Sequence, residues 1–312
     1  MKGDIYMKYL VIGAGGTGGA IGGFLSRAGK DVTLIARGAH LKKMQESGLY
    51  FDTPAGQYTV SPIKACTMDD YQEIPDVIFV CVKGYSLDDT IPFIRRIADA
   101  HTVVIPILNI YGTGGRMQKM LPDLTITDGC IYIASEIREP GSLFLSGNIF
   151  RVVYGLRKDT APELASRVNP ILTEVKKDLE ESNIEVLFSD RIESDALQKF
   201  SFVSPMAGVG SYYNCQVFAY QVKGQIRSTF FSMVREVKAL ADAMGIYLPD
   251  DLEQINMKIL DNLAPTATAS MQRDIRDGKP SEIDGLIFEV IRLGKQYGVE
   301  IPVYEMIAEK FQ

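Results

Sequence analysis

The pattern of apolar and polar positions divides the chain in two. Residues 8–12 (Lys-Tyr-Leu-Val-Ile) make a strand-length apolar run, after which Ala20, Ile21, Phe24 and Leu25 recur at helical spacing up to Gly29, a natural stop. Asp31–Ala36 reads as the next strand. More strands are expected at Asp76–Lys83 and Thr102–Asn109, with a hairpin between Leu49 and Ala65. Leu124–Gly155 is rich in β-branched residues and turn signals (Pro140-Gly141, Ser146-Gly147-Asn148) and predicts antiparallel strands that end the sheet. A helical stretch near Ala161–Ser182 and a strand at Ile184–Phe188 close this part. From Asp190 onward the period is helical, with amphipathic runs at Ile226–Met244, Leu252–Asn262 and Glu282–Tyr297. The expectation is an α/β domain over 1–189 followed by an all-helical domain over 190–312.

Chemistry enters at the first turn. Gly13-Ala14-Gly15-Gly16-Thr17-Gly18 follows a strand, opens a helix and precedes a second strand, the context that gives a G-x-G-x-x-G pattern its meaning. Gly13 permits the tight turn, Gly15 lets the backbone approach a pyrophosphate, and Gly18 lets the helix lie close to the sheet. The N-terminal domain is therefore expected to be a Rossmann-type dinucleotide-binding domain, with phosphates at the helix N-terminus. A strand-end carboxylate would select NAD, but the second strand ends Ile35-Ala36-Arg37-Gly38. A guanidinium there suits a 2′-phosphate, so the expected cofactor is NADP(H). Lys83 and Asn109, at two other strand ends, are candidates for phosphate and for the nicotinamide ribose or a reacting carbonyl. Each also reads as a plain polar strand end. Gly112-Thr113-Gly114-Gly115 lacks the Lys-Ser/Thr of a P-loop and reads as a turn into a helix.

Composition narrows the rest. Thirty-three basic and thirty-nine acidic residues give a net charge of −6, without the basic block that a nucleic-acid surface needs. No apolar run approaches the roughly 20 residues that span a bilayer. Lys2, Asp4 and Lys8 leave no apolar leader, so the expected location is the cytoplasm. His40 and His101 are the only histidines, too few for a His-rich metal site or a hydrolase triad, and no metal is expected. Four cysteines show no C-x-x-C spacing, and Cys81 reads as a small buried hydrophobe. Any proton transfer must then use something other than histidine.

Lysine is the candidate. At 100° per residue, Ile192, Ala196, Val203 and Met206 fall within about 60° of Lys199, which puts an ammonium in an apolar stripe. Desolvation there would lower its pKa toward neutrality. A lysine that snorkels, or pairs with Asp195, is the equally supported alternative. Pro205 removes the helical hydrogen bond to the Ser201 carbonyl and is expected to kink the helix. Further on, Ser281 reads as an N-cap that puts Glu282 at the first helical position, where the helix dipole alone favours a carboxylate.

Taken together these segments resemble the ketopantoate reductase (2-dehydropantoate 2-reductase) family over essentially the whole chain. The matching pieces are the residue 13–18 loop, Leu34–Arg37, Val82-Lys83, Leu108–Thr113, Glu136–Gly141 and Leu197–Phe200. The most specific is Ser270–Ile275 with Ser281–Asp284, in which Ser270 and Glu282 stand 12 residues apart. The resemblance implies reduction of a 2-oxo acid by NADPH, with Lys199 as proton donor and Glu282 as the acid that binds the substrate hydroxyl. It implies Ser270 as a carboxylate contact and Asn109 near the reacting carbonyl. The family commonly has asparagine four residues after the lysine, where this chain has Val203 followed by Ser204-Pro205. Ser204 is a candidate to replace that amide. A different 2-oxo acid as substrate, or a non-catalytic NADPH-binding sensor, are the alternative functions. The helices after residue 226 are equally compatible with covering a core or a homodimer face.

Overall fold

The computed structural model describes residues 7–311. Lys2 and Asp4, on which the leader expectation partly rests, lie outside the described residues. The chain divides into two compact units: residues up to Leu108 with Gly112–Ile192, and Asn109–Tyr111 with the residues from Glu193 on.

The first unit runs β1 (Lys8–Ile12), α1 (Gly16–Arg27), β2 (Asp31–Ile35), α2 (Gly38–Ser47), β3 (Leu49–Thr53), β4 (Gly56–Val60) and β5 (Lys64–Cys66). It continues through β6 (Val77–Val80), α3 (Leu87–Ile97), β7 (Val103–Pro106), α4 (Thr113–Met120) and β8 (Thr125–Ile126). β9 (Asp128–Glu139), β10 (Ser142–Gly155), α5 (Pro162–Glu181) and β11 (Glu185–Phe188) complete it. Six strands form an all-parallel sheet in the order β5-β2-β1-β6-β7-β8. Counting only these six in chain order, this is 3-2-1-4-5-6, the doubly wound arrangement in which ligands bind where the winding reverses, here beyond β1 and β6. Alternation sorts the strand residues into two cores. Tyr9, Val11, Phe79 and Ile105 face Ile21 and Leu25 of α1 and Leu172 of α5, whereas Leu10, Ile12, Ile78 and Val104 face Ile91 and Ile94 of α3 and Met117 of α4. Both faces are covered, which is why these strands read as unbroken apolar runs.

Of the strands within Leu124–Gly155, β8 alone ends this sheet, as its edge strand. It pairs in parallel with β7. β9 and β10 pair antiparallel with each other, and β10 runs parallel to β3 and β11 in a second, five-stranded sheet. The expected hairpin is β3–β4, and β5 leaves it to pair with β2. Helix α1 is wedged between the sheets through its glycines. A Cβ on Gly18 would meet Cys81 Cβ at 2.8 Å on the first sheet, whereas one on Gly23 would meet Phe51 Cζ at 2.3 Å on the second.

The second unit contains α6 (Ile192–Tyr213, its first residue counted with the first unit), α7 (Phe218–Gln221), α8 (Gln225–Ala243), α9 (Leu252–Asp261) and α10 (Ser270–Arg276). A π-helical turn (Asp284–Phe288), α11 (Glu289–Tyr297) and α12 (Pro302–Glu309) follow. The expected helix over Glu282–Tyr297 is present as one continuous run from Ile283, with the π turn inside it. The fully buried face of α6 is Leu197, Ser201, Ser204 and Ala207, not the stripe around Lys199, whose residues Ala196, Val203 and Met206 are half-buried. Small side chains on the buried face allow close approach, and a Cβ on Gly208 would meet Ile287 Cδ1 at 2.9 Å. The helix continues through Pro205. The carbonyl that Pro205 leaves without a partner, that of Ser201, accepts from Asn256 Nδ2 at 3.3 Å. Among the described residues no helix is long and apolar enough to cross a membrane.

Candidate functional site

The glycine turn is built as its spacing predicts. Gly13 has φ +96°, outside the comfortable range of L side chains, and its N–H and that of Ala14 both donate to the Ile35 carbonyl at 3.2 and 3.1 Å. Gly18 is held so close that a Cβ would lie 2.2 Å from the Gly13 carbonyl oxygen. Around Gly15, the N-cap of α1, the space is open: a Cβ there would meet nothing within 4 Å. Close packing at Gly18 beside open space at Gly15 fits a pyrophosphate resting on the helix N-terminus. Gly16 and Thr17 are the first two residues of that helix.

Arg37 is the exposed, extended N-cap of α2, directly beyond β2. β6 and β7 end at Val80 and Pro106, three residues before Lys83 and Asn109. Lys83 instead opens a 3₁₀ turn, Gly84–Ser86, and Cys81 lies beneath the glycine loop. Burial pushes the Cys81 thiol well above its usual range, as expected of a packing residue. His40, on the first turn of α2, is tied to the glycine loop, a contact that the sequence pattern did not announce. Its Nδ1 accepts from the Gly141 N–H and its Nε2 lies on the Ala14 carbonyl, both at 2.9 Å. Neither partner is near it in sequence, so no spacing rule could have found the contact.

The second glycine cluster is a helix start, and its N-terminus is already occupied. Asp128 Oδ1 accepts from the Gly114 N–H at 2.8 Å, and Arg157 pairs with the other oxygen at 3.2 Å. A built-in carboxylate takes the place an anion would need.

In the second unit, Lys199 on α6 donates from Nζ to Asn109 Oδ1 at 2.7 Å. The segment after Asn109 is held on both sides. The Tyr111 and Phe200 rings lie 6.1 Å apart, and a Cβ on Gly285 would meet Ile110 Cδ1 at 2.4 Å. Gly285, in the π turn three residues after Glu282, thus abuts the segment that carries Asn109, the partner of Lys199. Glu282 is 4% exposed, and its carbonyl accepts from the Leu286 N–H at 2.9 Å. The helix starts at Ile283, one residue later than the side-chain pattern suggests, so Glu282 rather than Ser281 supplies its first accepting carbonyl before the π turn at Asp284. Ser270 is the half-buried first residue of α10.

Ser204 does not join them. It is fully buried, and its hydroxyl bonds the Leu286 carbonyl and the Tyr304 hydroxyl, both at 2.6 Å. The π turn displaces a carbonyl from helical pairing, and Ser204 satisfies it. Among the described residues no group of three or more His, Cys, Asp or Glu could hold a metal ion.

Comparison with known proteins covers both units. The family described as "Ketopantoate reductase PanE/ApbA" matches residues 9–158, and "Ketopantoate reductase PanE/ApbA C terminal" matches residues 191–312. The chain is 26% identical over 306 residues to "Uncharacterized oxidoreductase YkpB" of Bacillus subtilis, covering 98% of each. It is 23% identical to a 2-dehydropantoate 2-reductase of Mesorhizobium japonicum, covering 96% of this chain and 95% of that one. Among solved structures, D-mandelate dehydrogenase with NADH and anilino(oxo)acetate superposes with TM-score 0.86 at 21% identity, covering 97% of this chain and 96% of that one.

Proposed function

Since the chain belongs to the ketopantoate reductase family of oxidoreductases, we propose that it reduces 2-dehydropantoate to pantoate with NADPH, a step toward pantothenate and coenzyme A in the cytoplasm. The observation that carries this reading is the 2.7 Å bond from Lys199 Nζ to Asn109 Oδ1. Asn109 holds one of the three N–H donors of the ammonium and thereby sets the direction of Nζ. When bound, the dinucleotide supplies a hydride to the carbonyl carbon of the 2-oxo acid. Lys199 Nζ donates a proton to the carbonyl oxygen, so the alcohol forms and the lysine is left neutral. An ammonium aimed at that oxygen stabilises its developing negative charge as well as serving as the acid.

The other roles follow from the chemistry of each position. Glu282, buried beside the π turn, accepts from the substrate hydroxyl, and Ser270 donates to the substrate carboxylate. On the cofactor side, the Gly13–Gly18 loop takes the pyrophosphate and Lys83 contributes positive charge near the phosphates. Arg37 takes the 2′-phosphate through charge-assisted hydrogen bonds. A steady-state assay of NADPH oxidation with ketopantoate tests the reading, and no turnover with any 2-oxo acid despite NADPH binding would leave a sensor instead.

One observation favours a second substrate. Val203, one turn past Lys199 on α6, is half-buried and carries no hydrogen-bonding group. D-Mandelate dehydrogenase, which shares the fold, is named for an aromatic 2-hydroxy acid. A 2-oxo acid without a hydroxyl side chain is thus the alternative. Comparing kcat/KM for ketopantoate and for branched or aromatic 2-oxo acids separates the two.

A further inference from the structure

The geometry points to His40 as a positioning residue for the dinucleotide: its imidazole aims the Gly15 N–H at the site of the pyrophosphate by fixing the Ala14 carbonyl. This inference rests on the proposed dinucleotide-binding role of the glycine loop. The Ala14 carbonyl and the Gly15 N–H belong to one planar trans peptide and point in opposite directions. Whatever pulls the carbonyl one way turns the N–H the other way. Gly13, Gly15 and Gly16 surround this peptide, and glycines place little steric barrier in the way of its rotation. Upstream, the loop is anchored by the Gly13 and Ala14 N–H groups, which donate to the Ile35 carbonyl. The Ala14 carbonyl itself is held by His40 Nε2 at 2.9 Å.

The ring is held in turn from its other side. Gly141, in the turn between β9 and β10, donates its N–H to Nδ1 at 2.9 Å. With Nδ1 accepting, the proton of the neutral ring sits on Nε2, the tautomer that can donate to Ala14. The turn cannot drift. The Gly141 carbonyl accepts from the Tyr50 N–H on β3 at 2.9 Å, and its α-carbon lies against Lys43, where a Cβ would meet Cγ at 2.5 Å. A continuous path of bonds thus leads from the second sheet through Gly141 and His40 to the Gly15 amide. Burial lowers the pKa of His40, which keeps the ring in the neutral form this path needs.

Two isosteric substitutions separate the two bonds. In His40→Gln the side-chain amide can place an N–H where Nε2 was, keeping the Ala14 bond. In His40→Asn the shorter amide can accept only from Gly141. Equilibrium NADPH binding, followed by cofactor fluorescence on the intact protein, should show Kd raised about tenfold in His40→Ala and His40→Asn, the effect of one lost hydrogen bond. His40→Gln should stay within about threefold of wild type. In turnover, KM for NADPH should rise with Kd while kcat at saturating NADPH holds. Wild-type Kd in His40→Asn, or equal losses in the Gln and Asn variants, would overturn the role. If His40→Ala does not fold, the Gln and Asn pair decides alone. A wild-type protein that binds neither NADPH nor NADH overturns the cofactor reading and this inference with it.

Discussion

At the scale of single residues, each proposed role has its own signature. Lys199→Ala should lower kcat by roughly 10²–10⁴, the usual span for a general acid, while NADPH affinity stays near wild type. An unchanged kcat removes Lys199 from the reaction. Arg37→Asp should weaken NADPH by about 10- to 100-fold and spare NADH, since only the former carries the 2′-phosphate. Equal weakening of both would mean that Arg37 does not hold that phosphate. His40 ties stability to pH. Its pKa lies below the ordinary 6.5, so on acidification the unfolded chain takes the proton first. Its contribution is fully present above about pH 6.5, falls as pH drops below that value, and levels off once the folded ring is protonated. Urea unfolding across this window should show a shallower slope for His40→Gln than for wild type.

At the scale of elements, α6 shows how a broken rule is repaired from outside. Pro205 strands the Ser201 carbonyl, and Asn256 on α9 reaches it. Asn256→Leu should cost about 1–3 kcal/mol by leaving that carbonyl buried and unpaired. Adding Pro205→Ala restores a helical N–H to it, so the double variant should be more stable than the summed single effects predict. Strict additivity in urea denaturation would show that the asparagine does not serve this bond. The proline was legible in the sequence, but its remedy 51 residues later was not. Strands and helices were readable for a similar reason: periodicity is local, whereas pairing is not. The residues of β9 and β10 announced strands, but nothing in them named β3 or β11 as neighbours. Glu282 and Lys199 stood out by type and spacing. Ser204 misled, because a hydroxyl looks the same in sequence whether it faces a substrate or a displaced carbonyl.

At the scale of the whole molecule, binding and stability are linked. Dinucleotide at a hundredfold excess over its Kd should add about 2.7 kcal/mol to the stability of the state that binds it. Slower amide hydrogen exchange on β1, β2 and β6 reads this, and exchange rates unmoved by NADPH would rule out binding at the glycine loop. The clamping of α1 between two sheets has one more consequence. Gly18 is closed in by the Gly13 carbonyl, Cys81 and Val11, and Gly23 by the Phe51 ring, with no slack for a methyl group at either. Substitution there is punished by the fold before any ligand is met, whereas Arg37 stands exposed at the tip of a strand. Over evolutionary time, then, the proposed grip on the diphosphate would be frozen while the proposed choice between the two cofactors would be free to drift. A lineage could exchange one for the other by changing the end of β2, with the helix behind it untouched.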